Sequence, residues 1–178
     1  MAIEPDTKDW TWVLDRRCDE CGLEAGAIEP HRISELLRDN ADQWHSLTDH
    51  AAAGWWQARP NASTWSPLEY AGHVRDVHGV FAERLNLMLT EDDPVFGDWD
   101  QDAAAIDAND NQSDPTQVLQ DLRAAANHAA EQYQALTAEQ WQRPGRRSDG
   151  APFTGVTLAR YHLHDVVHHL QDVRAQLP

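Results

Sequence analysis

The stretch TWSPLEYAGHVRDVH, residues 64–78, holds the clearest helix start in the chain. Ser66 stands at an N-cap position, Pro67 at the first helical position and Glu69 three residues after the cap. This is a capping box with a preorganised first turn, in which each half satisfies a backbone donor that the turn would otherwise leave unpaired. Ala71, Val74, Val77, His78, Phe81, Leu85 and Met88 continue the apolar period, and Glu91-Asp92-Asp93-Pro94 ends it.

Three further helical patterns flank this one. From Pro30 onward, Ile33, Leu36, Leu37, Trp44 and Leu47 recur at helical spacing, with a stop predicted around Asp49, His50 and Gly54. A third helix begins at Asp114-Pro115 and runs through Val118, Leu122, Ala125, Ala129, Tyr133 and Leu136. The fourth spans Thr154 to Gln176, with Leu163, Val166, Val167, Leu170 and Val173 as its stripe. Residues 91–114 are acidic, lack any basic residue and are broken by Pro94 and Gly97. They read as a long solvated loop with one helical turn around Ala103–Ile106. Residues 1–29 carry little period and read as an irregular leader lying on the domain. No strand pattern competes. The expectation is one all-α domain over 1–178: a leader (1–29) and a four-helix bundle (30–178) with a long loop between helices 2 and 3.

Composition narrows the partners. The 178 residues carry 30 acidic and 14 basic side chains, a formal charge of −16. Phosphate binding needs clustered Lys and Arg, so nonspecific binding to nucleic acid or an anionic membrane is excluded. Mean hydropathy is −0.67 and no long apolar run is present, so no membrane span is expected. The N-terminus lacks a signal-peptide pattern, and two cysteines make no disulfide framework, which together predict a cytoplasmic protein. Ten His and 8 Trp are the unusual counts. That many Trp leaves room for a homodimer without specifying its surface.

The histidines carry the chemistry. At about 100° per residue with Leu163 at the origin, His164 and His168 fall near 100° and 140°, on one flank and one turn apart. Such an H-x-x-x-H pair can present two imidazoles to one ion. His73 lies on a flank of the second helix, and sites in bundles form between facing helices. Three His with open positions have the composition of a catalytic divalent-metal site. The plain alternative is a chance spacing in a His-rich chain. His78 reads as a hydrogen-bonded core residue, and His162 and His169 as packing or surface groups. With the helix rotated, His162 and His169 would form the inner flank. Asp76 and Asp165 fall on outward faces.

The segments TWSPLEYAGHVRDVH (64–78) and RYHLHDVVHHLQDV (160–173) together resemble the DinB-like superfamily of four-helix-bundle metalloproteins. The matching residues are Trp65, Ser66, Glu69, His73, His164 and His168, and the resemblance covers roughly 30–178. It implies a metal site at His73, His164 and His168. It also implies metal-dependent enzymes that use a low-molecular-weight thiol, relatives including mycothiol-dependent maleylpyruvate isomerase and bacillithiol S-transferases. The scarcity of Lys and abundance of Ala fit a GC-rich bacterial genome, which favours mycothiol as cosubstrate. The implied cofactor is Zn²⁺, with Ni or Fe as alternatives, and the partner a small-molecule substrate.

Several readings stay open at this level. The activated group can be a thiol, for transfer or isomerisation, or water, for hydrolysis; a non-catalytic metal or small-ligand binding bundle is a third reading. Tyr161 can donate to substrate or be a rim tyrosine. Trp56 can line a pocket or sit in the core. Cys18 and Cys21, spaced C-x-x-C, can be half of a zinc knuckle completed by residues such as His31, a redox pair, or packing cysteines.

Overall fold

The computed structural model describes residues 9–49 and 51–177, with the backbone alone at residue 102. His50, part of the stop predicted for the first helix, lies outside the described residues, as does the start of the leader. Five helices form: α1 (Ile33–Ser46), α2 (Pro67–Thr90), α3 (Gln101–Ala108), α4 (Pro115–Gln134) and α5 (Gly155–Arg174). Helices α1, α2, α4 and α5 make the expected four-helix bundle. Both α1 and α2 pack on α4 and on α5, so the consecutive helices α1 and α2 occupy diagonal corners. Trp44, Leu37, Leu68, Val74, Leu122 and Val166 are sealed in the shared core. Truncating any one of the Leu residues to Ala would cost about 2–5 kcal/mol through lost transfer energy and the cavity left behind.

The start of α2 forms as its sequence dictates. Glu69 N donates to Ser66 Oγ at 3.2 Å, and Ser66 N donates back to Glu69 Oε2 at 2.9 Å. Arg59 donates to both oxygens of the same carboxylate through Nε and Nη2. This fixes the register in which α2 presents His73 one turn further on.

The acidic segment 91–114 is mostly exposed and turns helical where a turn was expected, but it is pinned to the bundle at a few points. It contains α3, capped by Asp100, and it docks on the bundle. Asp110 is buried and accepts two hydrogen bonds from Arg75, at 3.0 and 3.1 Å. Asn111 accepts from Ser66 Oγ at 2.8 Å. The carboxylate rests on Gly72: a Cβ there would lie 2.0 Å from Asp110 Oδ2. A small residue and a cation on α2 thus draw in what composition alone marks as solvated.

A short hairpin that no sequence pattern announced pairs β1 (Pro144–Arg146) with β2 (Pro152–Thr154) in antiparallel register. It also catches the segment after α2, with Phe96 N donating to Arg146 O at 2.7 Å. The leader lies along α5 as short 3₁₀ turns, burying Val13, Cys18 and Ala25. Arg160 Nε donates to Ile28 O at 2.9 Å and fastens its far end.

Candidate metal centre

Helix α5 carries, on adjoining faces, two clusters of side chains able to hold a metal ion. In the first, donor atoms of His73, Asp165 and His169 lie within 4.8 Å of one another. His73 Nε2 stands 3.9 Å from Asp165 Oδ1, and His169 Nε2 stands 3.5 Å from the same oxygen. In the second, donor atoms of Cys18, Cys21, His164 and His168 lie within 4.8 Å of one another.

The three-His set expected from the sequence is therefore divided: His73 belongs to the first cluster, His164 and His168 to the second. The reason is the rotation of α5. Its buried residues Ala159, His162, Val166, Leu170 and Val173 define an inward arc. At about 100° per residue that arc centres roughly 60° from Leu163, toward His169. His164 and His168 then point away from the core and are buried by the leader, while Asp165 and His169 turn toward α2. Asp165, expected to face outward, is the correction with most chemical weight.

Aromatic rings shape the first cluster. His73 stacks on Trp99 at 5.4 Å with a 12° tilt, lies 5.1 Å from the Trp65 ring, and meets His169 edge-on at 4.7 Å. His169 Nδ1 pairs with Asp172 Oδ2 at 3.0 Å. A carboxylate on Nδ1 fixes the tautomer that leaves Nε2 as the lone-pair donor. Burial first, and then repulsion from His169, push the His73 pKa well below 6.5. The imidazole is held neutral, the form that ligates metal. Its Nε2 is buried and has no hydrogen-bond partner among the described residues. A buried nitrogen left this way is costly unless something else accepts its lone pair. The donor set fits a divalent cation.

Asp165 and His169 line a cleft of about 700 Å³. Trp99, Arg84 and Tyr161 form other parts of its wall, and Trp10 and Glu20 come from the leader.

A model of the DinB superfamily matches residues 36–174 of the 178. The chain belongs to the DinB superfamily. Among solved structures it is similar to YfiT from Bacillus subtilis, described as a probable metal-dependent hydrolase with an unusual four-helix bundle topology. The two share 16% identity at a TM-score of 0.71, covering 98% of this chain and 93% of that one. No curated protein matches.

The remaining sequence candidates take definite places in this DinB-superfamily bundle. Tyr161 lines the cleft, and burial, then Asp165, raise its phenol to about 12. Trp56 does not line the cleft; it sits in the core, edge-on to Trp55 at 5.0 Å. His31 is exposed in a 3₁₀ turn and joins neither cluster. His78 and His162 are core residues, as expected for His78, bonded Nδ1 to Nε2 at 2.9 Å. Sequence reasoning did not bring Asp165 and His169 together as potential ligands or place Arg84 in the cleft. The D-x-x-x-H spacing of 165 and 169 was visible, but it overlaps H-x-x-x-H one residue earlier, and only the true inward arc separates them.

Proposed function

We propose that this protein is a metal-dependent enzyme in which His73, Asp165 and His169 hold one divalent ion. The observation that carries the proposal is the buried His73 Nε2, without a hydrogen-bond partner among the described residues, 3.9 Å from a carboxylate oxygen of a residue that lines an open cleft. Two imidazoles and one carboxylate suit Zn²⁺ or Fe²⁺ and leave positions open to substrate, unlike a closed structural site. When bound, the ion would supply a Lewis acid able to bring a thiol or water to its deprotonated, nucleophilic state near neutral pH.

The nucleophile we favour is a low-molecular-weight thiol of the mycothiol class, transferred to, or isomerising, a small electrophile. A cleft of about 700 Å³ has room for a cosubstrate beside the substrate. Neither cysteine lines the cleft, so thiol chemistry there requires a sulfur brought from outside. Ser63, which does line it, donates to Asn61 and not to a His. Tyr161, kept protonated by burial, donates a hydrogen bond to a developing oxyanion. Arg84 is half-buried and makes no ion pair among the described residues, so it holds an anionic group of the substrate. Hydrolysis, with water as nucleophile, is the second reading, favoured by the likeness to YfiT.

The test is a panel of small electrophiles assayed with and without thiol, on protein purified without a His tag. Turnover that needs both metal and thiol, and that disappears in Asp165→Ala, supports thiol transfer. Metal-dependent ester or amide cleavage without thiol selects hydrolysis. Turnover unaffected by chelation and by Asp165→Ala overturns both.

A further inference from the structure

The second cluster differs in composition from the first, and its His164 and His168 border the same cleft while its cysteines do not. Cys18 is fully buried, and His164 and His168 are 3% and 8% exposed. Cys18 Sγ lies 3.8 Å from His168 Nδ1, across 150 residues of chain. His164 Nε2 is buried with no hydrogen-bond partner among the described residues. We infer that Cys18, Cys21, His164 and His168 form a second, structural metal site that takes Zn²⁺ with all four positions filled by protein and clamps the leader onto α5.

The local geometry is built for this. Cys18 N donates to Leu23 O at 2.9 Å, and Gly22 N donates to Cys18 O at 2.8 Å, so the C-x-x-C segment folds into a tight knuckle. Gly22 closes it at φ +77°, a left-handed conformation that a side chain would strain. Arg17 Nε donates to Gly22 O at 2.9 Å and braces the turn. On α5 the spacing H-x-x-x-H places two imidazoles one turn apart on the face that the knuckle covers. Two thiolates and two imidazoles in C-x₂-C and H-x₃-H spacing are the donor set of closed zinc sites.

The surroundings complete it. His168 Nε2 faces Glu20 Oε2 at 3.5 Å and Asp172 Oδ2 at 3.9 Å. Carboxylates on that nitrogen leave Nδ1, the atom facing Cys18, as the ligating one. Trp10 packs over His168 at 4.8 Å and His164 at 5.6 Å, at the edge where both meet the cleft. Two thiolates cancel the charge of Zn²⁺, so the assembly is neutral and suits burial. Binding releases both thiol protons, which the cation makes favourable.

The consequence reaches the cleft. The leader brings Asp9, Trp10 and Glu20 to its wall. Metal at the knuckle therefore holds one side of the cleft in place.

Metal analysis of untagged protein tests the inference, with Co²⁺ as spectroscopic probe. We expect two ions per chain in the wild type, one in Cys18→Ser/Cys21→Ser and one in His73→Ala. The Co²⁺-loaded wild type and His73→Ala should show thiolate-to-cobalt charge transfer and intense tetrahedral absorption. The double cysteine variant should lack both. Should that variant fail to fold, thiol protection in the wild type decides: both cysteines should resist a thiol reagent until a chelator is added. Absence of the charge-transfer band in the folded wild type, or cysteines equally reactive with and without chelator, overturns it. Loss of metal in His73→Ala alone would uphold only the cleft site, and loss in the cysteine variant alone only the knuckle.

Discussion

His168 and His169 are consecutive in the chain and serve different clusters, His168 beside Cys18 and His169 beside His73. One step along an α-helix turns a side chain by about 100°, enough to move it from the leader-covered face to the face that meets α2. Asp172, one turn further on, reaches both: its Oδ2 is 3.0 Å from His169 Nδ1 and 3.9 Å from His168 Nε2. The two clusters share a supporting carboxylate.

Asp172→Asn should therefore weaken metal at the cleft without removing a ligand. An amide can still hydrogen-bond His169 Nδ1, but it no longer holds the tautomer or raises ligand basicity. The expected loss in affinity is about 10–100-fold, the usual effect of removing such a support. Titration with a competing chelator reads it, and an unchanged affinity would count against His169 as a ligand.

The bundle was legible in the sequence because its signals are local. Ser66, Pro67 and Glu69 sit within one turn and cap α2 wherever that helix packs. Ligand partnership is not local. Whether His164 or Asp165 faces α2 depends on which of Leu163 and Val166 centres the buried arc, and only packing between helices decides that. Cys18 and His168 meet across 150 residues, with nothing in either segment naming the other. Asp110 looked solvated because its partners, Gly72 and Arg75, belong to another helix.

Arg84→Met should raise KM for a carboxylate-bearing electrophile. The half-buried guanidinium has no ion-pair partner among the described residues, so its charge is free for substrate. A hydrogen bond to a charged group is worth about 1.5–3 kcal/mol, or roughly tenfold or more in kcat/KM. Steady-state kinetics on charged and neutral analogues check this. The penalty should vanish for the neutral analogue, and an equal penalty for both would remove Arg84 from recognition.

Acid should destabilise the fold through His78. Burial lowers its pKa from 6.5 to about 3. Facing it are His162, at 2.9 Å, and beyond that Tyr133 Oη, 3.3 Å from His162 Nδ1. Neither carries a negative charge that would offset protonation. The folded pKa lies below the unfolded one, so the unfolded chain takes up the proton first. The contribution to stability is complete above about pH 6.5 and is lost as pH falls toward 3, at up to about 1.4 kcal/mol per pH unit. Thermal unfolding between pH 7.5 and 4 measures it. His78→Gln should be less stable at pH 7.5 and show a shallower decline, and parallel curves for the two proteins would show that other groups set the acid sensitivity.

Gly72→Ala should separate docking of the acidic segment from folding of the bundle. Its Cβ would meet Asp110 Oδ2 at 2.0 Å, so Asp110 must leave Arg75 or α2 must shift. Overpacking of this kind typically costs about 1–3 kcal/mol. The same segment carries Trp99, which stacks on His73 at 5.4 Å. Undocking it would expose His73 to water, relieve its desolvation and move its pKa back toward 6.5. The expected result is a lowered Tm with helical content retained, and quenching of Trp fluorescence by a soluble quencher rising above wild type. Ser66→Ala, which loses the cap and the tie to Asn111, should lower stability by about 1 kcal/mol and shift quenching in the same direction. If Gly72→Ala leaves Tm and quenching unchanged, the segment is not held through Asp110.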